Sequence, residues 1–99
     1  MIVRIVKMTF RDDELDNFQA LFSEKKQLIR NFPGCYHLEL WQDARTPNIW
    51  FTYSHWESEA HLDKYRFSEL FKEVWAATKA LFSNKPEAWS VTQKVVVEK

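Results

Sequence analysis

Residues 33–58 read PGCYHLELWQDARTPNIWFTYSHWES, and the fold turns on this stretch. From Cys35 to Gln42 the side chains alternate, with Tyr36, Leu38 and Leu40 on one side and His37, Glu39 and Trp41 on the other. Asp43 to Asn48 is a turn-rich connection containing Pro47. Beyond it Ile49, Phe51, Tyr53 and His55 alternate with Trp50, Thr52, Ser54 and Trp56. Period-two alternation on both sides of a turn predicts a β-hairpin. Both of its faces carry large side chains: Trp50 and Trp56 oppose Phe51 and Tyr53, and His37 and Trp41 oppose Leu38 and Leu40.

Upstream, Met1 to Phe10 is rich in Ile and Val and predicts a mostly buried strand. Arg11 to Glu14 offers capping carboxylates, after which Leu15, Phe18, Leu21, Phe22, Leu28, Ile29 and Phe32 recur at helical intervals. Acidic residues gather at the start of this helix and Lys25, Lys26 and Arg30 near its end, which suits the helix dipole. Pro33-Gly34 stops it with the only glycine of the chain. Downstream, Ser58 opens a short helix carrying His61, Leu62 and Tyr65, and Ser68 caps a longer one whose apolar positions run from Leu70 to Phe82. The short helix is expected to bend into the long one. After Asn84-Lys85-Pro86, Trp89, Val91, Gln93, Val95 and Val97 alternate with polar neighbours and Val96 as a last strand.

The order β-α-β-β-α-β is that of an α+β, ferredoxin-like fold, with a four-stranded antiparallel sheet covered by helices on one face. The other face would then expose more apolar surface than the few hundred Å² that single subunits usually tolerate. A homodimer packed sheet against sheet is expected.

Composition narrows the function. The 99 residues have room for one domain, 1–99, with one core. Fourteen Lys+Arg balance fourteen Asp+Glu, so the chain lacks the basic field that holds nucleic acid or anionic lipid. No apolar run approaches the roughly 20 residues of a membrane span, and Arg4 and Lys7 interrupt the only apolar opening that could resemble a signal peptide. A lone Cys35 rules out an internal disulfide, and the cytoplasm is the expected compartment. With one glycine, a phosphate-cradling loop is physically implausible, and no nucleophile elbow or paired-carboxylate motif is present.

Aromatic residues make up 16% of the chain and must be buried or bound to something. Trp41, Trp50, Tyr65 and Trp75 are the candidates for a flat-sided site that binds a planar ring, against ordinary core packing. Trp56, at the strand-to-helix junction, reads as a wedge between the short helix and the sheet. His61 is either a base for a phenolic proton or a capping residue, and His37, beside Glu39, is either an oriented imidazole or part of a solvated sheet edge. His55 falls on the face assigned to the dimer. No metal-ligand spacing is present, so no metal site is expected. Cys35 reads as a small buried side chain.

Taken together, the helix stop Phe32-Pro33-Gly34-Cys35, the run Trp56-Glu57-Ser58-Glu59-Ala60 and the following Leu62, Tyr65, Ser68 and Phe71 resemble the antibiotic biosynthesis monooxygenase domains of the dimeric α/β-barrel superfamily. The Trp-Glu-Ser stretch is the most specific part, and the match spans roughly the whole chain. The resemblance implies a ferredoxin-like protomer, a sheet-to-sheet dimer and a pocket between sheet and helices. Members include cofactor-independent oxygenases of quinols and polycyclic aromatics, haem-degrading enzymes and domains with no assigned activity, so fold alone does not select among them.

Haem degraders of the family share an Asn on the first strand, a Trp on the short helix and a His on the long helix, and an ungapped comparison puts Lys7, Tyr65 and Trp75 there. Without that His there is no evident iron ligand, and haem is disfavoured. Many other members carry a His where this chain has Tyr65, a poorer base at neutral pH. The leading reading is therefore a cofactor-independent monooxygenase of an aromatic or quinol-type molecule, with His61 or His37 as base. The alternative is a ligand-binding or stress-related domain without chemistry, which Tyr65 favours.

Overall fold

A computed structural model describes residues 1–99. Strands β1 (Ile2–Thr9), β2 (Cys35–Gln42), β3 (Ile49–Trp56) and β4 (Glu87–Val91) form one antiparallel sheet in the order β2-β3-β1-β4. Helices α1 (Leu15–Arg30), α2 (Glu59–Arg66) and α3 (Glu69–Lys79) complete the ferredoxin-like α+β arrangement. The hairpin has the expected bounds, and its register pairs Trp41 with Phe51 and Gln42 with Trp50. No helix is long and apolar enough to cross a membrane.

Four local features depart from the sequence reading. Asp12–Glu14 does not cap α1 through side chains but forms a 3₁₀ turn, in which Glu14 accepts from Asn17 at 2.7 Å. Leu28, expected on the apolar face of α1, is exposed. The short helix does not bend continuously into the long one. Ser68 Oγ donates to the Tyr65 carbonyl at 2.6 Å and accepts from Phe71 N–H at 3.1 Å, so one hydroxyl closes α2 and opens α3. Finally, β4 ends at Val91. Val91 pairs with Val3, the last pairing between β4 and β1, and residues 92–99 lie outside any strand. Val95, Val96 and Val97 are exposed there.

Gly34 ends the α1 connection at φ +89°, a left-handed conformation that glycine adopts without strain. A Cβ at this position would also lie 2.6 Å from the His61 ring, so the chain turns tightly under α2.

The covered face of the sheet holds two small cores. In one, Met8, Phe10, Phe18 and Trp50 pack beneath α1, with the Phe10 and Phe18 rings stacked at 4.2 Å. In the other, Cys35, Trp56 and Leu62 pack beneath α2, with Trp56 1% exposed and stacked on Tyr65 at 4.9 Å. Trp56 is thus the wedge between sheet and short helix. Burying a side chain of this size contributes about 1.5–3 kcal/mol, and the two cores hold α1 and α2 against the sheet.

Candidate functional site

Alternation decides which side chains meet. On β1 the even positions Ile2, Arg4, Val6 and Met8 pair across to Trp56, Ser54, Thr52 and Trp50, and these residues form the covered face. The odd positions of the hairpin, His37, Glu39, Trp41, Phe51, Tyr53 and His55, form the open face.

Between the two cores lies a cavity of about 90 Å³, bordered by Val6, Met8, Trp56, Tyr65, Phe71 and Trp75 among others. Its polar groups are largely committed: Ser54 Oγ accepts from Trp56 Nε1 at 2.9 Å, and Thr78 Oγ1 donates to the Val74 carbonyl at 2.7 Å. Next to it is a second cavity of about 220 Å³, bordered by Arg4, Leu62, Arg66, Pro86 and Glu87. Val6, Tyr65, Phe71 and Trp75 border both. An apolar cavity of about 150 Å³ can take benzene, so the second space admits a single ring and the first extends it.

The three rings of the shared wall begin a longer run of touching rings. Tyr65 meets Phe71 edge-on at 5.2 Å, Phe71 stacks on Trp75 at 5.8 Å, Trp75 meets Phe82 at 5.7 Å, and Phe82 meets Phe10 at 5.3 Å. Such pairs favour these tilted and offset arrangements because the ring edge is positive and the face negative. Burial, and after it the nearby Cys35, pushes the Tyr65 phenol far above its ordinary value. Tyr65 therefore stays neutral, with a hydroxyl that can donate a hydrogen bond but is no base.

Of the residues singled out from sequence, the structure brings Tyr65 and Trp75 together on this wall. Trp50 is on the covered face but sits in the core beneath α1, its Nε1 donating to the Pro47 carbonyl at 2.9 Å, and it borders neither cavity. Trp41 lies on the open face, stacked on Tyr53 at 4.6 Å, because it is out of phase with Trp50 in the hairpin. Lys7 is likewise on the open face, so of the three positions compared with haem degraders only Tyr65 and Trp75 meet.

The histidines also lie outside the cavities. His61 sits one turn before Tyr65 on α2, and both of its ring nitrogens are occupied: Nδ1 by Ser58 Oγ at 2.7 Å and Nε2 by Glu57 at 2.8 Å. Glu57 also accepts from Tyr36 at 2.9 Å, so this network fastens the start of α2 to β2. His37 contacts Glu39 on the open face, with its ring 5.3 Å from that of His55. His37, and then Trp41, hold the Glu39 carboxyl below its ordinary value. No group of three or more His, Cys, Asp or Glu side chains is placed to hold a metal ion.

The antibiotic biosynthesis monooxygenase family model matches residues 1–77, which include β1, both cavity-bearing helices up to Ala77 and the whole hairpin. The chain belongs to that family. Its structure superimposes on a crystal structure of an antibiotic biosynthesis monooxygenase with TM-score 0.89 at 19% identity, covering 96% of this chain and 100% of the other. A conserved protein from Methanosarcina mazei gives TM-score 0.88 at 21% identity, over 95% and 94%. A Mycobacterium tuberculosis protein gives 0.87 at 18%, over 98% of both chains. At these identities the likeness is one of fold. No curated protein sequence matches.

Within this family fold, sequence reasoning passed over Arg4, Trp56 and Phe71 as cavity-lining residues. Arg4 and Trp56 could have been found from parity alone, since each shares a sheet face with Val6 and Met8.

Proposed function

We propose that this family member binds a planar aromatic or quinol-type molecule between sheet and helices and oxygenates it without a cofactor. The observation that carries this reading is the pair of adjoining cavities walled by Tyr65, Phe71 and Trp75, with the neutral Tyr65 hydroxyl as a donor beside them. In such a reaction a base takes the proton of a ring hydroxyl and the electron-rich anion reacts with oxygen; one oxygen atom enters the ring, which is oxidised to the quinone, and the other leaves as water, so that the substrate supplies the electrons. The rings exclude water and hold the substrate plane, and the Tyr65 hydroxyl hydrogen-bonds its oxygen. His61 and His37 enter the proposal as candidate bases. Geometry ranks His61 first, being on the helix side and one turn from Tyr65, although its Nε2 must leave Glu57 to take a proton. The protein works as a homodimer joined through the open sheet face, in the cytoplasm.

A second reading is favoured by one specific observation: no histidine borders either cavity, and Tyr65 is held neutral. On that reading the protein binds its aromatic ligand and performs no chemistry. Oxygen uptake with a panel of quinols and hydroxylated polycyclic aromatics separates the two. The oxygenase is expected to consume oxygen faster than the uncatalysed control, and His61→Ala is expected to lower the rate by about 10² or more, the usual worth of a positioned base. Uptake no faster than the control, with ligand binding retained, leaves the binding domain.

A further inference from the structure

Arg4 is the only charged residue on the covered face of the sheet, where its β1 neighbours are Ile2, Val6 and Met8. Its cross-strand partners are Ser54 on β3 and Ser90 on β4, and it donates to Ser90 Oγ at 2.9 Å. It forms no ion pair with any carboxylate. Arg66, at the end of α2, enters the same cavity wall and pairs with Asp63 at 3.6 Å, a residue that does not border the cavity. The only carboxylate on the wall, Glu87, is paired with neither arginine. Two guanidiniums thus converge on a 220 Å³ space whose other side is the aromatic wall of Tyr65, Phe71 and Trp75.

A half-buried charge without a counter-ion is costly, and proteins keep such charges paired or use them to receive a ligand. Burial, then the positive charge of Arg66, lowers the Arg4 pKa, with Asp63 acting in the opposite direction. The arginine therefore feels more positive than negative charge around it. Its planar donors match a carboxylate in two-point geometry, which a lysine would not do.

Resting on the aromatic-ligand reading above, we propose that the cavity selects a planar aromatic carboxylate, with the carboxylate between Arg4 and Arg66 and the ring against Tyr65, Phe71 and Trp75. The anion supplies the charge that Arg4 lacks, and the ring covers the apolar wall. Glu87, at the same mouth, repels a second anionic group placed on the far side of the ring.

The test is equilibrium dialysis of the whole protein under nitrogen, with 1-hydroxy-2-naphthoate and with 1-naphthol, which share a ring system and differ in the carboxylate. The naphthoate is expected to bind at least about tenfold more tightly, the usual worth of one or two charge-assisted hydrogen bonds. That preference should shrink when salt rises from about 0.05 M to about 0.5 M. Arg4→Gln and Arg66→Gln should each remove most of it while leaving 1-naphthol binding within about twofold. If Arg4→Gln does not fold, Arg66→Gln carries the test, because that side chain is exposed and bonded only to Asp63. Equal binding of the two compounds, or a preference that survives in Arg66→Gln, overturns the carboxylate site and leaves the aromatic-ligand reading intact. Binding of neither compound overturns both.

Discussion

On the covered face of the hairpin Trp50 and Trp56 are buried beneath helices, whereas Trp41 and Tyr53, one residue out of phase, stack on each other with no helix above them. Both faces are aromatic, and both contain groups tied by hydrogen bonds: Trp56 to Ser54 on one, His55 to Tyr53 at 2.6 Å on the other. They differ in what covers them. Apolar content along a strand reports that a face will be covered and is silent on whether the cover is a helix of the same chain or another subunit. The covered face is the core of the fold, and the open face is the one through which the dimer proposed above would join.

The sharpest way to break this comparison is to truncate a tryptophan on the covered face. Trp56→Ala should cost about 3–5 kcal/mol, since the side chain is fully enclosed and stacks on Tyr65. For a domain of this size that lowers the thermal midpoint by about 4–8 °C for each kcal/mol, read by circular dichroism. A loss below about 1 kcal/mol would mean that the two faces are not energetically distinct.

Next in size is an assembly effect. Phe51→Lys places a charge in the middle of the open face, beside Trp41. If that face is the dimer interface, the substitution should weaken association by about 2 kcal/mol or more, while the helical signal of the subunit stays unchanged. Sedimentation that shows the same oligomer in variant and parent would assign the open face another purpose.

The smallest expected effect is a pH dependence confined to the open face. Burial, then the charge of His37, holds His55 below its ordinary value, and Glu39 acts the other way. Between its folded and unfolded pKa values His55 binds fewer protons in the folded state, so stability is complete above about pH 6.5 and declines as pH falls through the window below it. Glu39, whose carboxyl is lowered, adds a loss of the same sign at more acidic pH. The thermal midpoint should therefore drop from about pH 7.5 to about pH 5, and His55→Gln should flatten that slope. An unchanged slope in the variant would place the pH-sensitive group elsewhere.

These contrasts also explain what the sequence could convey. The hairpin was legible to the residue because alternation, a local signal, is enough to set its ends. The length of β4 was not, since Gln93, Val95 and Val97 continue the alternation while pairing with β1 stops at Val3 and Val91. Tyr65 and Trp75 were legible as a pair because both lie on helices packed on the same face. Grouping Trp41 with Trp50 ignored the hairpin register, which puts them on opposite sides. Arg4 stayed hidden for a different reason: within IVRIVKMT it reads as an interruption of a buried strand, although its parity with Val6 and Met8 already puts it on the covered face.

The run of rings from Tyr65 through Phe71, Trp75 and Phe82 to Phe10 joins the core beneath α2 to the core beneath α1. A molecule seated against that run touches a structure that bridges both cores, so occupancy and cooperativity of unfolding become linked quantities. At a free ligand concentration of about 100 times Kd the folded state gains about 2.7 kcal/mol, spread over both cores at once. Without ligand, the α2 side is expected to open on its own, and native-state hydrogen exchange should show Leu62 and Tyr65 amides exchanging ahead of those of Met8 and Phe18. With ligand bound, the two sets should converge on a single rate.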